Sequence, residues 1–225
     1  MEFNKYRNRA LSFIFFGIFS LGVFSSASAA IIVDQEFSTT DDPNHNTGLG
    51  IVVDSLAQSF TVGVSGILNS IEFNILGINA TDDVTFDIRN MVGGSPDALE
   101  SNALFSTVIS NGDIGSFGSQ PYSWSSIVVD VSSANLSVSA GDQYAFVLGS
   151  EIGQEYGVQT DYLNGYSGGN RFQQLGDGTA FGSSDFFDLT FKTTVNQVPE
   201  PSILALFSAS LAGLGLIRRR KKQQA

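Results

Sequence analysis

The chain has no cysteine and only one histidine among its 225 residues. Without cysteine, disulfide bridges, thiolate metal ligands and cysteine nucleophiles are excluded. A zinc site or a Ser-His-Asp triad would have to depend on His45 alone. No G-x-S-x-G nucleophile elbow accompanies it. We therefore interpret His45 as a solvated residue of a polar loop.

Charged residues are also scarce, and basic ones are nearly absent from the interior of the chain. They make up 15% of the sequence, and eight of the 11 basic residues lie at the two ends. The interior keeps only Arg89, Arg171 and Lys192 against twenty acidic residues, a formal charge of -17. Nucleic-acid binding requires clustered Lys and Arg to neutralise phosphates, so this distribution excludes it.

The interior alternates short apolar runs with polar, glycine-rich turns. Segments 71–75 and 84–88 place apolar side chains at every second position, which is typical of strands with one buried face. No helical period of useful length occurs between the ends. We therefore predict an all-β fold for 30–196, a two-sheet, jelly-roll-like β-sandwich. The phenylalanines predicted to form its core are Phe60, Phe73, Phe86, Phe146 and Phe191.

The first 29 residues are predicted to be a helical signal peptide. A basic start precedes an uncharged run, 11–24, which is too short for a hydrocarbon core of ~30 Å. Small residues follow, with Ala27 and Ala29 forming an A-x-A pattern. We predict cleavage by signal peptidase after Ala29, with the bond after Ala30 as the alternative. An uncleaved anchor is the competing interpretation.

The last residues, 197–225, contain three zones. Pro199-Glu200-Pro201 favours a stiff, extended segment because each proline biases the residue before it towards extended conformations. An uncharged stretch, 202–217, is predicted to form an apolar helix of roughly 24 Å. The basic end, 218–222, favours the cytoplasmic side of a membrane. We therefore expect the helix to anchor the chain, with the interior exported.

This order of zones resembles the PEP-CTERM sorting signal of Gram-negative bacteria. The residues that carry the resemblance are Pro199, Glu200, Pro201, Gly213, Leu214, Gly215, Arg218, Arg219 and Arg220. The resemblance implies recognition by an exosortase and removal of the tail near the motif, so the membrane contact is transient. It also implies a final location at the cell surface or in the extracellular matrix. An ordinary single-span anchor is the competing interpretation.

Several interior segments also resemble a recurrent β-sandwich module of exported bacterial surface proteins. These segments are 57–60, 71–73, 84–89, 139–144 and 188–192. The resemblance implies a fold and no particular activity.

A structural Ca²⁺ is the one cofactor that the sequence suggests. Hard cations take several oxygen ligands from carboxylates and carbonyls, and acidic pairs occur in predicted turns. The candidate ligands are Asp41, Asp42, Asp82, Asp83 and Asp177. No EF-hand spacing is present, and adjacent acids in turns are usually solvated. We otherwise expect no cofactor.

Aromatic residues provide the candidate glycan-binding site. Tyr156, Tyr162 and Tyr166 are spaced along a glycine-rich stretch interpreted as loop, and Trp124 is a further candidate. Their rings could stack on sugars, whereas packing in the core is the commoner role of such residues.

These observations favour a non-enzymatic protein of the cell envelope or extracellular matrix, with a structural or adhesive role. The alternative is a carbohydrate-binding module of the exopolysaccharide matrix. Twenty acids do not exclude a glycosidase, which needs only two carboxylates, but no catalytic constellation occurs. The expected partners are signal peptidase, exosortase, the membrane and exopolysaccharide.

Overall fold

The computed structural model describes residues 29–38, 47–52, 55–78, 80–117, 124–150, 155–161, 165–174, 180–184 and 187–197. These residues belong to a compact unit, Ala30–Val198, apart from Ala29. The described strands are β1 (Ala30–Phe37), β2 (Thr47–Val52), β3 (Ser55–Thr61), β4 (Gly66–Gly77), β5 (Val84–Val92), β6 (Ser95–Pro96), β7 (Phe105–Ile109), β8 (Gly115–Ser116), β9 (Ser125–Asp130), β10 (Ser137–Val138), β11 (Gln143–Gly149), β12 (Tyr156–Asp161), β13 (Arg171–Gln174), β14 (Phe181–Ser184), β15 (Asp188–Leu189) and β16 (Phe191–Gln197). Three short 3₁₀ turns accompany them, at Glu100–Asn102, Asn111–Asp113 and Ser132–Ala134.

The first sheet is built around β4, its longest strand. One side of β4 pairs with β8, β9 and β10, and the other side pairs with β16 and β12. β1 lies outside β16, and β2 lies outside β12. Every pairing is antiparallel except the two-residue contact of β4 with β8.

The second sheet runs in the order β14, β13, β3, β11 and β5, with β6 and β7 pairing to β5. Its strands are joined by turns that the sequence specifies well. Gly93 and Gly94 both have positive φ and close the two-residue hairpin between β5 and β6. Such hairpins require φ > 0 at both central positions, where glycine carries no steric penalty.

The core lies between the two sheets and is rich in phenylalanine. Phe73 of the first sheet stacks on Phe86 and Phe146 of the second, with ring centroids 6.0 and 5.8 Å apart. Phe60 and Phe191 join the same cluster, their ring centroids 6.2 Å apart. All five predicted core phenylalanines are buried. Each sheet buries every second side chain on one face, and the burial of these apolar faces drives the two sheets together.

The prediction of an all-β, two-sheet sandwich is confirmed. The two flanking helices predicted at 1–29 and 202–217 lie outside the described residues. The interpretation of the stretch after Tyr156 as loop was wrong over its first six residues. These residues form β12, and all six are buried. The pattern was misleading because this stretch has only two clearly apolar side chains, Tyr156 and Val158. The residues that alternate with them are Gly157, Gln159 and Asp161.

Candidate functional site

The first and last strands of the sandwich are direct neighbours. β1 pairs with β16 so that Ala30 is the Cα partner of Gln197 and Phe37 is the partner of Phe191. Cα partners in antiparallel pairs lie roughly 4.5–5.5 Å apart. The chain therefore enters and leaves the sandwich at adjacent points. Ala29 and Ala30, the residues around the predicted signal-cleavage bond, are both exposed there.

A bulge in β1 fixes this strand to the body of the domain. The register shifts between Val33 and Gln35, which frees Asp34 to point at the loop after β3. Its carboxylate accepts hydrogen bonds from the backbone N–H groups of Gly63 and Val64, at 2.9 and 2.6 Å. β1 is thus held by the hydrogen bonds of the Asp34 side chain as well as by its pairing with β16.

The residues of the predicted sorting signal follow directly after this strand pair. β16 ends at Gln197, two residues before the Pro-Glu-Pro segment. Pro199, Glu200, Pro201, Arg218, Arg219 and Arg220 lie outside the described residues, as does Ala27. One residue, Val198, therefore separates the last strand from the Pro-Glu-Pro segment.

The predicted metal residues are only partly within the described ranges. Asp82 and Asp83 are exposed in the turn before β5, whereas Asp41, Asp42 and Asp177 lie outside those ranges. The Asp83 carboxylate accepts the N–H of Asn111 at 2.9 Å, and the buried Tyr156 hydroxyl donates to the Asp82 carbonyl. Among the described residues, no group of three or more His, Cys, Asp or Glu is placed to hold a metal ion.

The predicted glycan-binding aromatics that the structure describes are not brought together on an exposed face. Tyr156 is fully buried in the core, so its inclusion in a sugar platform was wrong. Burial and the nearby Asp82 and Asp83 raise its pKa. Trp124 is half-buried just before β9, and Tyr162 lies outside the described residues.

Tyr166 is half-buried and serves the packing of the sandwich end. Its ring meets Phe191 edge-on at 5.1 Å and Phe37 at 5.9 Å. Its hydroxyl donates to Gln35 Oε1 at 2.7 Å. Burial raises the pKa of Tyr166 to about 12. The ring therefore packs against the core beside β1.

A polar notch that the sequence did not reveal opens on the first sheet. β16 pairs with β4 as far as Phe73, β12 pairs with it from Ile75 onward, and Asn74 lies between them. The two strands meet end to end there and leave a groove of about 140 Å³. We call it the junction notch. The polar residues that line it are Glu36, Ser38, Glu72, Asn74, Gln159, Thr190 and Lys192.

Hydrogen bonds among Asn74, Gln159 and Thr190 hold one side of the junction notch together. Gln159 Oε1 accepts from Asn74 Nδ2 at 2.5 Å and from Thr190 Oγ1 at 3.3 Å. The Gln159 carbonyl also accepts the Thr190 N–H at 2.9 Å. A side-chain network therefore replaces the ladder bonds that are lost where three strands diverge.

Side chains of alternating charge, Glu36, Lys192 and Glu72, form another side of the junction notch. Lys192 is the register partner of both Glu36 and Glu72 and forms an ion pair with Glu72. This hydrogen bond lowers the pKa of Glu72 and raises the pKa of Lys192. The sequence gave no signal of these contacts, because Glu36, Glu72 and Lys192 meet through strand order rather than through their spacing in the chain.

Two buried carboxylates of the sandwich, Asp87 and Asp188, are engaged with polar partners. Asp87 forms an ion pair with Arg89 at 2.5 Å and accepts the Ser106 hydroxyl at 2.7 Å. Asp188 accepts from Gln58 Nε2 at 2.9 Å and from the Tyr166 N–H at 2.8 Å. Each set of hydrogen bonds offsets part of the cost of burying a charge.

The fold is an all-β sandwich in which the first residue of β1 lies beside the last residue of β16. Its last residue, Gln197, begins a segment, 197–221, that matches the PEP-CTERM protein-sorting motif. This motif marks the chain as an exported protein that is sorted through the membrane and processed by an exosortase. No curated protein and no solved structure matches the chain.

The part of the chain that the structure describes contains no helix long and apolar enough to cross a membrane. The apolar stretch 202–217, which carries the predicted span, is not in that part.

Proposed function

We propose that this chain is a non-enzymatic protein of the cell envelope or extracellular matrix, exported by a cleaved signal peptide and sorted by its tail. The observation that carries the proposal is the PEP-CTERM match over 197–221, which starts at the last residue of β16. The final location is the surface or matrix of a Gram-negative bacterium, and the role there is structural or adhesive.

The state of the buried carboxylates supports a role without catalysis. A hydrolase needs two carboxylates that face the substrate in one cleft. Asp87 and Asp188 instead bind side chains and backbone groups of the sandwich itself. The half-buried Glu72 is bound to Lys192. These contacts give Asp87, Asp188 and Glu72 roles in the fold.

The sorting role is tested by replacing Pro199, Glu200 and Pro201 together with alanine in the full chain. The expected result is a protein of unprocessed mass that stays in the inner-membrane fraction. Val128→Ala, at an exposed position of β9 outside the matched segment, is the control and should be processed normally. Intact-mass measurement and membrane fractionation give the readout. Unchanged mass and location in the triple variant would contradict the proposal.

A second function, carbohydrate binding, is favoured by the junction notch. Sugars are recognised by carboxylates and amides that exchange paired hydrogen bonds with neighbouring hydroxyls. The notch presents Glu36, Asn74 and Gln159 within one small groove. The strongly acidic surface of the exported part favours neutral sugars over uronic acids, because like charges repel.

A panel of neutral and acidic oligosaccharides tests this second function on the mature protein. Glu36→Gln keeps the shape of the notch and should reduce binding at least about tenfold, because a charge-assisted hydrogen bond is lost. Val108→Thr, on the exposed edge of the second sheet, should bind as the parent does. Absence of binding in the parent across the panel would refute the carbohydrate role without affecting the sorting role.

A further inference from the structure

Two strands at one side of the sandwich, β7 and β9, have an outer edge that no other described strand covers. Among the described strands, β9 pairs only with β4, and β7 pairs only with β5. A groove of about 340 Å³ runs between them and is lined by residues of both, including Thr107, Ile109, Ile127 and Val129. The edges of the two sheets therefore lie side by side at this groove.

The other edge strands have features that oppose pairing with a further chain. β1 contains a bulge and two acidic residues, Asp34 and Glu36. β2 contains Gly48 and Gly50, and β14 has only four residues, one of them Gly182. Bulges, charges and short strands prevent association between sheet edges, and glycine weakens a strand.

β7 and β9 have few of these features. β7 reads Phe-Ser-Thr-Val-Ile, without charge, glycine or proline. β9 reads Ser-Ser-Ile-Val-Val-Asp, and its one charged residue, Asp130, is the last. Neither strand has a register shift. Val108 and Val128 are 60% and 61% exposed. This side of the sandwich is therefore the best suited of the described edges to pair with another strand.

The backbone of β9 presents hydrogen-bonding groups to the open side at alternate residues. The Val131 N–H donates to the Asn69 carbonyl of β4 at 2.9 Å. The direction of these groups alternates along an antiparallel strand, so the N–H and C=O groups of Ser126, Val128 and Asp130 point away from β4. The side chains of these three residues are exposed on one face of the sheet.

We propose that β9 pairs with β9 of a second copy of this chain, antiparallel about a two-fold axis at Val128. Val128 then lies opposite Val128 of the second copy, and Ser126 lies opposite Asp130. In this register all three outward-facing residues form hydrogen-bonded pairs. No charge faces a like charge, and two exposed valines leave water. The same patch serves both copies, as a two-fold interface requires.

The size of the interface makes the pairing reversible. One short ladder buries less than the roughly 1,000 Å² that a stable interface needs. The pair therefore forms where copies are held close together, because a high local concentration favours a weak contact. The pairing uses only the described strands, so it does not depend on how the chain is sorted.

The acidity of the domain gives this pairing a characteristic dependence on salt. The interior of the chain has a formal charge of -17, so two copies repel each other at long range. The screening length falls from about 30 Å at 0.01 M salt to about 3 Å at 1 M. Pairing of two copies therefore strengthens as salt rises, whereas binding of a basic strand from another protein would weaken.

Single cysteines in the processed protein test the pairing, because the chain has no cysteine of its own. Val128→Cys should give a disulfide-linked dimer, since opposed Cα atoms lie within disulfide reach. Val33→Cys is the matched control, because Val33 is 52% exposed and lies in β1, at the opposite edge of the same sheet. Val128→Cys should cross-link at least about tenfold faster under the same oxidant. Equal rates would overturn the proposal.

A mixture of two variants tests the register. Ser126→Cys and Asp130→Cys should form mainly mixed dimers when combined, because these positions are opposed in the proposed pair. Each variant alone should cross-link slowly, since its two cysteines lie four residues apart along the ladder, about 13 Å. Cross-linking without a preference for the mixed dimer would contradict the two-fold axis at Val128.

Sedimentation velocity of the cysteine-free processed protein tests the pairing without a cross-link. The dimer fraction should rise between about 0.01 and about 1 M NaCl. Val128→Lys places two like charges on the axis and should abolish the dimer, whereas Val33→Lys should leave it unchanged. Both variants should keep the thermal transition of the parent, because both positions are exposed. A protein that stays monomeric throughout, or a dimer that Val128→Lys leaves intact, would refute the proposal.

Discussion

Ala30 lies directly opposite Gln197 in the antiparallel pair of β1 and β16. β16 also pairs with β4, so it lies between the first strand and the central strand of its sheet. The sorting motif is therefore attached to an interior strand of the sheet. The first and last strands of the sandwich, β1 and β16, belong to the same part of the fold. Tail removal must spare this strand if the exported domain is to remain folded.

The first prediction concerns where the chain can be shortened. A chain that ends at Gln197 keeps all of β16 and should show a cooperative thermal transition. A chain that ends at Thr190 loses the buried Phe191, Thr193 and Val195 and leaves β1 without its partner. We expect the shorter chain to be unfolded by circular dichroism. A cooperative transition in the shorter chain would show that β16 is dispensable.

The second prediction concerns the stacked phenylalanines between the sheets. Phe146 is fully buried and contacts both Phe73 and Phe86. Phe146→Ala should lower the free energy of unfolding by about 3–5 kcal/mol, because it removes the side chain and leaves a cavity. Val108→Ala, at a position 60% exposed, should change it by less than ~0.5 kcal/mol. Urea denaturation of both variants gives the comparison.

Much of the fold followed from period-two patterns and glycine turns. Phe73 and Phe86 stand in clean alternation, so their burial was predictable from local sequence alone. Gly93 and Gly94 likewise lie in one of the glycine-rich turns between apolar runs, and the structure has a hairpin there. These features depend on near neighbours in the chain, which is why single-sequence reasoning reached them.

The junction notch depends on contacts between distant strands and was not predicted from the sequence. Tyr156 looked like a loop residue because the residues around it lack an alternating apolar pattern. Gln159, Asn74 and Thr190 converge only because β12 and β16 meet on the same side of β4. Strand order decides such meetings, and nothing in the local sequence encodes strand order.

The third prediction concerns the buried ion pair of Asp87 and Arg89. Their side chains are 4% and 6% exposed, and Arg89 also donates to the Asp97 carbonyl at 3.1 Å. Arg89→Met leaves the Asp87 carboxylate buried without its ion-pair partner, so we expect a loss of about 3–5 kcal/mol in unfolding free energy. The double variant Asp87→Leu/Arg89→Met should recover much of that loss. A double variant as unstable as the single one would show that packing, rather than the stranded charge, dominates.

The fourth prediction concerns Glu72 in the junction notch. Its hydrogen bond with Lys192 lowers its pKa below the usual value of 4.5. A depressed pKa in the folded state stabilises the fold above pH 4.5, and this contribution is lost as the pH falls through the lowered value. NMR titration should therefore place the Glu72 midpoint below 4.5 in the parent and closer to it in Lys192→Met. An equal midpoint in the two proteins would show that the ion pair does not form in solution.

The last prediction concerns Tyr166 at alkaline pH. Burial raises its pKa to about 12, above the value of about 10 in an unfolded chain. The fold therefore keeps this contribution in full below about pH 10, and loses it as the pH rises from there through about 12, because the unfolded chain ionises first. Urea midpoints measured over this range should fall for the parent and fall less for Tyr166→Phe.

Tyr166→Phe also deletes the hydrogen bond to Gln35, so its stability at neutral pH should be lower by roughly 0.5–1.5 kcal/mol. Tyr144→Phe is the control, because Tyr144 is another tyrosine whose pKa is raised by burial and its removal leaves Tyr166 in place. The Tyr144 variant should keep the part of the alkaline decline that belongs to Tyr166. A decline of unchanged size in Tyr166→Phe would mean that other groups set the alkaline limit of the sandwich, and that the ring beside β1 is open to water.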